Sequence, residues 1–205
     1  MKTYYRRNLP HILPPGALIF FTFRLDGSLA ASTLQQLADE RELAIQQAIL
    51  HASSLHQQAE AIAKITKLRF ATYDALLDGA TQGPRWLSEP AVAKLVGDGI
   101  HRLEELDVII LAYCLMSNHV HLVVQLPTAP GFSAARMMQR LKGRTALEAN
   151  KLLCRQGLTF WRHESYDHVV RHEKELERVI AYVLNNPVKA GLVDDWTKWP
   201  YSYVR

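Results

Sequence analysis

Residues 108–126 read VIILAYCLMSNHVHLVVQL, and this stretch decides the fold. Two apolar runs, at 108–116 and 119–126, are separated only by Ser117 and Asn118. Each run has the length of a β-strand, and so short a connection predicts an antiparallel hairpin. We therefore expect an antiparallel sheet to organise the chain.

The second strand carries a pair of histidines. His119 and His121 are two residues apart, so strand alternation turns both imidazoles to one face, while the intervening apolar side chains face the core. Neutral imidazole is the commonest metal ligand, and two on one strand supply half of a metal site. An isolated His-x-His is often incidental, so the interpretation depends on a third partner.

Other strand-like and helical runs surround the hairpin. Strands are predicted at 17–25 and within 158–170, and helices at 133–153 and 173–186. This order favours an α+β fold, an antiparallel sheet with helices on one face. The aromatic C-terminal tail, 196–205, is expected to pack back onto the body.

The stretch from about 32 to 79 differs from the rest. It is rich in Ala, Leu, Gln and Glu, and contains no proline or glycine from Thr33 to Asp78. This composition predicts one long helix or a helix pair, with the break in the region from His51 to Gln58. We interpret residues 1–205 as a single domain that carries this stretch as a helical insertion.

The helix at 173–186 carries a second candidate group. Its core stripe consists of apolar residues, whereas Arg178, Tyr182 and Asn186 follow one another at intervals of four on the flank. Pro187 predicts that the helix ends near Asn186. A tyrosine phenol can attack a phosphodiester, an amide oxygen one turn away can bind a metal, and Arg178 can contact phosphate. A lone tyrosine can equally be a packing residue, as we interpret Tyr113, Tyr166, Tyr201 and Tyr203.

Composition permits a polyanionic partner without requiring one. The 205 residues are 48% hydrophobic and 21% charged, with a net charge of +4. No apolar run approaches the roughly 20 residues of a membrane span. We expect a cytoplasmic protein that does not enter membranes.

Basic residues are the candidate DNA contacts. Arg136, Arg140 and Arg144 step by four along one predicted helix, although such a stripe is also typical of a solvated face. Phosphate contacts would make DNA affinity fall with salt. The complete candidate set is Arg6, Arg7, Arg136, Arg140, Lys142, Arg144, Arg178 and Lys189.

Two ordered blocks resemble the single-tyrosine HUH transposases. Residues 116–123, MSNHVHLV, are similar to their "MPNHVHLL" block, with Ser117 in place of the usual proline. Residues 182–193, YVLNNPVKAGLV, follow Phe160-Trp161 and resemble the family's "FW…YI..NPVKAGLV" block. The tail WPYS, at 199–202, is similar to "WPYSS". The nearest branch is the REP-associated tyrosine transposases, and the resemblance covers 86–203 well and 1–30 weakly.

The resemblance implies a ferredoxin-like HUH-nuclease fold and an activity on DNA. It implies His119, His121 and Asn186 as ligands of Mg²⁺ or Mn²⁺, and Tyr182 as the nucleophile. The implied partner is single-stranded DNA that carries hairpins from palindromic repeats. The implied cleavage forms a 5′-phosphotyrosine intermediate, and the implied location is the bacterial nucleoid. The family contains both monomers and homodimers.

Two alternatives remain at this point. One is a hairpin-DNA binder that has lost catalysis, although the intact set of His119, His121, Tyr182 and Asn186 disfavours it. The other is a small metal hydrolase, which usually needs a further carboxylate or histidine near the metal. Only the transposase interpretation predicts a covalent DNA adduct.

Overall fold

The computed structural model describes residues 14–205 and, before them, the paired strands β1 (Tyr4–Arg6) and β2 (Pro10–Ile12). The other strands are β3 (Leu18–Arg24), β4 (Ile109–Leu115), β5 (His119–Gln125), β6 (Tyr166–Val170) and β7 (Ser202–Val204). The α-helices are α1 (Ala31–His51), α2 (Leu55–Asp78), α3 (Pro90–His101), α4 (Ala134–Leu152) and α5 (Glu173–Lys189).

In the described part of the chain, a five-stranded antiparallel sheet runs in the order β6-β3-β5-β4-β7. β4 and β5 form the hairpin predicted from residues 108–126. The tail also packs as expected, because β7 pairs with β4 and the Trp199 indole donates to the Leu115 carbonyl. The predicted α+β class and antiparallel sheet are confirmed.

The helices are divided between the two faces of this sheet, rather than gathered on one as the sequence suggested. On one face, Phe21 and Leu122 join a core with Val96 of α3 and Met137 of α4. On the other face, Tyr182 of α5 packs against the alternate residue Phe20. Both faces need cover because β3 and β5 are apolar on the two sides.

The helical stretch forms a compact unit of its own, Gly27–Gly83, and the rest of the chain forms the other. It is a helix pair with a break at 52–54, where the Ser54 hydroxyl caps α2 by accepting from the Gln57 amide. Arg69 of α2 forms an ion pair with Glu40 of α1. Among the described helices, none is long and apolar enough to cross a membrane.

The tyrosine helix runs further than expected. α5 continues through Pro187 to Lys189, instead of ending near Asn186. Proline removes one hydrogen-bond donor, but the helix closes beyond it because the Ala190 amide donates to the Asn186 carbonyl. The extra residues keep Lys189 on the same helix as Tyr182.

We predict that Gly83→Ala destabilises the protein more than Gly131→Ala. The two glycines have nearly equal φ, +91° and +92°, so both substitutions cost about 1–2 kcal/mol of left-handed strain. A Cβ at Gly83 would also lie 2.5 Å from the Gly27 carbonyl oxygen, whereas one at Gly131 meets no described atom within 4 Å.

Urea unfolding followed by circular dichroism should give a free energy of unfolding lower for Gly83→Ala than for Gly131→Ala by about 1 kcal/mol or more. Equal losses for the two variants would contradict the close approach of Gly83 to Gly27.

Candidate metal and nucleophile site

His119 and His121 lie side by side on β5. Their Nε2 atoms are 3.0 Å apart, and their rings are nearly perpendicular, with centroids 4.7 Å apart. Alternation turns them away from the Leu122 core face, as the sequence indicates. Both are nevertheless 0% exposed, so their face of the sheet is covered rather than open to solvent.

Each imidazole is held through its other nitrogen. His119 Nδ1 is 2.7 Å from Asn118 Oδ1, and His121 Nδ1 is 2.8 Å from Thr22 Oγ1. An amide oxygen only accepts, so His119 Nδ1–H donates and leaves a lone pair on Nε2. His121 Nε2–H then donates to that lone pair at 3.0 Å, and His121 Nδ1 accepts from the Thr22 hydroxyl. The two Nε2 atoms therefore lie next to each other, each held from behind, which suits metal binding.

Asn118 and Thr22 contact the two imidazoles, and neither was predicted from the sequence as a site residue. The signal for Thr22 is its polarity within the aromatic strand LIFFTFR, where β-sheet register pairs it with His121. That pairing becomes visible only when β3 is placed next to β5. Asn118 gives a clearer signal, since it directly precedes the pair and is 1% exposed although it lies in a turn.

Burial fixes the charge state of His121. Desolvation, followed by the positive charge of Lys189, lowers the pKa of His121 to about 3. The ring is thus neutral at physiological pH, which is the form that binds metal ions.

Tyr182 lies against the histidine pair. Its ring centroid is 5.7 Å from that of His121 and 6.1 Å from that of Phe20, in edge-on contacts. Phe20 in turn stacks on His121 at 5.7 Å. The Lys189 ammonium lies 5.6 Å from the centre of the Tyr182 ring. The structure therefore brings together a phenol, two imidazoles and a cation from distant parts of the sequence.

Asn186 is fully buried one turn beyond Tyr182 on α5. Neither its Oδ1 nor its Nδ2 has a hydrogen-bond partner among the described residues. Burying an unsatisfied amide costs about 1–3 kcal/mol, and such groups are rare unless they serve a function. A buried amide oxygen and two buried imidazoles are ligand types that suit a divalent cation preferring oxygen and nitrogen.

Tyr113 and Tyr166 lie in environments that suit packing rather than nucleophilic attack. Burial, reinforced by Asp167 and Glu175, raises the pKa of Tyr166 far above its ordinary value. Burial also raises the pKa of Tyr113, whose ring stacks on Tyr203 at 5.4 Å. A phenol that resists deprotonation is a poor nucleophile.

The candidate DNA-contact residues fall into different environments. Arg136, Arg140 and Arg144 are exposed on α4, and Arg178 is exposed on α5. Arg144 pairs with Glu148 at 3.1 Å, and Arg178 Nε donates to the Lys174 carbonyl at 3.1 Å. The Arg6 side chain and the whole of Arg7 lie outside the described residues.

Lys142 differs from the other basic residues on α4. Its ammonium donates to the carbonyls of Arg162 and His163 at 2.5 and 2.8 Å, and to the Ser165 hydroxyl at 3.2 Å. These bonds fasten the loop before β6 onto α4. Lys142 is half-buried, and its three hydrogen bonds within the protein give its ammonium a structural role.

Comparison with known proteins gives consistent matches. Residues 92–186 match the family model described as "Transposase IS200 like". A Haemophilus influenzae protein named as a REP-associated tyrosine transposase is 30% identical over 100 residues, which are 45% of this chain and 56% of the relative. The chain thus spans little more than half the length of that relative.

A solved structure of a REP-associated tyrosine transposase bound to a REP hairpin is also similar. It superposes with a TM-score of 0.56 at 15% identity, covering 98% of this chain and 82% of that one, and so shows a common fold. The family model and the curated relative confirm the resemblance of this chain to the REP-associated tyrosine transposases that the sequence motifs indicated.

Proposed function

We propose that this chain is a metal-dependent single-stranded DNA endonuclease and strand transferase that acts at hairpin-flanked sites. The observation that carries the proposal is the contact of the Tyr182 ring with the buried histidine pair. A phenol beside two buried imidazoles, each hydrogen-bonded through its other nitrogen, suits phosphodiester cleavage.

We assign the metal site to His119, His121 and Asn186, with Mg²⁺ or Mn²⁺ as the ion. The support is the 3.0 Å approach of the two Nε2 atoms and the unsatisfied amide of Asn186. When bound, the ion would stabilise negative charge on the scissile phosphate. Thr22 and Asn118 orient the imidazoles from behind.

Tyr182 is the proposed nucleophile. Its phenol oxygen forms a bond to phosphorus while the bond from phosphorus to the 3′ oxygen breaks. The phenol loses its proton, and the leaving 3′ oxygen gains one. The product is a 5′-phosphotyrosine and a free 3′-hydroxyl. Attack by a 3′-hydroxyl reverses the step and rejoins a strand, so no external energy source is needed. Lys189 is cationic and lies near the Tyr182 ring, so its ammonium is suited to bind the phosphate.

DNA contacts are assigned to the exposed arginines. Arg136, Arg140 and Arg144 on α4, and Arg178 on α5, are the proposed phosphate contacts, with Arg6 and Arg7 as further candidates. The similar solved protein is bound to a REP hairpin, which favours a hairpin with single-stranded flanks as the substrate. Lys142 is not among the proposed phosphate contacts, because its ammonium donates to the loop at 162–165.

A single chain supplies both the histidine pair and the tyrosine, which supports a competent monomer without excluding a homodimer. We propose one functional domain over residues 1–205, with the helical unit as an insertion, and action at the bacterial nucleoid in the cytoplasm. The second candidate is a hairpin binder without catalysis. It is favoured only if the buried amide of Asn186 proves to have a structural role.

Tyr182→Phe is expected to abolish the covalent DNA adduct while DNA binding remains. The matched control is Tyr166→Phe, since both rings contact Phe20 but only Tyr182 reaches His121. Denaturing gels with a labelled hairpin and Mn²⁺ should show the adduct for wild type and Tyr166→Phe only. An adduct in Tyr182→Phe would assign the nucleophile elsewhere, and no adduct in wild type would favour the inactive binder.

Asn118→Ala is expected to weaken Mn²⁺ binding about 10- to 100-fold, because His119 loses the acceptor that orients it. Asn118→Asp keeps an acceptor oxygen and should bind close to wild type. Asn185→Ala removes an exposed amide that bonds only within α5 and is the control. Calorimetric titration measures the affinities. Wild-type affinity in a folded Asn118→Ala would rule out the orienting role.

Replacing Arg136 and Arg140 together by Gln should weaken DNA binding and reduce its salt dependence. Two lost contacts to a single strand lower the slope of log affinity against log salt by about 1.4. Lys142→Gln should instead lower the melting temperature and leave the slope unchanged, because its bonds lie within the protein. An unchanged slope in the double variant would remove this face of α4 from the DNA interface.

A further inference from the structure

We propose that a cavity beside α4 binds an unpaired nucleobase from the single-stranded flank of the DNA, an inference that rests on the proposed function. The cavity has a volume of about 430 Å³ and is bounded by α4, the loop at 158–165 and the adjoining parts of β3 and β6. We call it the α4 cavity. Its size is within the usual range for small-molecule sites.

The walls of the α4 cavity suit a flat, partly apolar ligand. Phe21, Met138, Phe160 and Trp161 line it and are at most 7% exposed, so they form a buried floor. Gln139 lies at the exposed rim. Aromatic and thioether surfaces contact the face of a base, and a glutamine amide can bond to the edge of adenine.

The charged groups around the cavity suit a base better than a phosphate. Lys142, His163, Glu164 and Asp167 all line it, and the Lys142 ammonium already donates to the loop at 162–165. The two carboxylates repel phosphate but accept hydrogen bonds from exocyclic amino groups of bases. The cations Arg136 and Arg140 are exposed on α4 next to the lining residues Ala135 and Gln139. The backbone of a strand can thus lie on the arginines while one base enters the cavity.

The cavity lies on the sheet face opposite to the histidine pair. Asp167 pairs with Phe21 across the two strands, and both line the cavity. Their neighbours Tyr166 and Phe20 face the other way, and Phe20 contacts Tyr182. Because β6 is the last strand on its side of the described sheet, a single strand can pass around it from one face to the other.

The walls are held in place before any ligand arrives. The three hydrogen bonds of Lys142 fix the loop at 162–165, and the Trp161 indole donates to the Thr145 hydroxyl at 2.9 Å. A pre-organised site loses little conformational entropy on binding. The α4 cavity therefore has the rigidity expected of a binding site.

Gly143 allows the cavity to be filled with little disturbance of the fold. It lines the cavity within α4, and a Cβ added there meets no described atom within 4 Å. Gly143→Met places a long apolar side chain into the space, while Gly143→Ala adds one methyl group and is the matched control. Both should preserve the helix, since alanine and methionine favour it more than glycine.

The experiment measures binding of a fluorescent hairpin with single-stranded flanks by anisotropy, with an abasic residue at each flank position in turn. For wild type and Gly143→Ala, one abasic position should weaken binding about fivefold or more, because a stacked base is lost. Gly143→Met should weaken binding of intact DNA by a similar factor. Its affinity should then no longer change when the abasic residue is placed at that position. Gln139→Ala, as a second variant, should reduce the dependence on which base stands there.

Tight wild-type binding with no sensitive abasic position, and an unchanged Gly143→Met, would overturn the proposal. The Tyr182-dependent adduct would then still stand, so failure of the cavity and failure of the nuclease are distinguishable. Saturation-transfer NMR with dAMP, dCMP, dGMP and dTMP tests whether the cavity binds a free nucleotide instead of a base in a DNA strand. A mononucleotide that binds wild type but not Gly143→Met, without any sensitive flank position, would show a free-nucleotide site and overturn the assignment to a strand.

Discussion

The approach of two imidazole Nε2 atoms to 3.0 Å on β5 is the constraint on which the candidate site depends. Neither ring could hold this orientation alone. His119 is fixed by Asn118 in the preceding turn, and His121 by Thr22 on the neighbouring strand. The site is therefore a property of the paired sheet rather than of the His-x-His motif, and it exists only when β3 and β5 are in register.

Because both faces of the sheet are covered, the histidine pair is buried, and burial determines its chemical properties. Burial keeps His121 neutral, and α5 brings Tyr182 against it. The same packing buries the amide of Asn186 without a hydrogen-bond partner in the described chain, at a cost to stability. A stability cost of this kind, one helical turn from Tyr182, is typical of a functional site.

Periodicity predicted the parts of this arrangement that depend on local sequence. Alternation placed His119 and His121 on one face, and helical spacing placed Tyr182 off the apolar stripe of α5. Contacts between distant segments could not be predicted from periodicity. The division of helices between two faces, the bond from Thr22 and the anchoring of Lys142 all depend on which segments meet. The continuation of α5 through Pro187 depends on hydrogen bonds beyond the proline.

Electron spin-echo modulation of protein-bound Mn²⁺ is the decisive measurement for this metal site, because it detects the nitrogen nuclei of imidazole ligands. The wild-type protein should show nitrogen couplings from two imidazoles, reduced to one in His119→Ala and in His121→Ala. A spectrum without imidazole nitrogen, or one that neither substitution changes, would contradict a metal site on this pair.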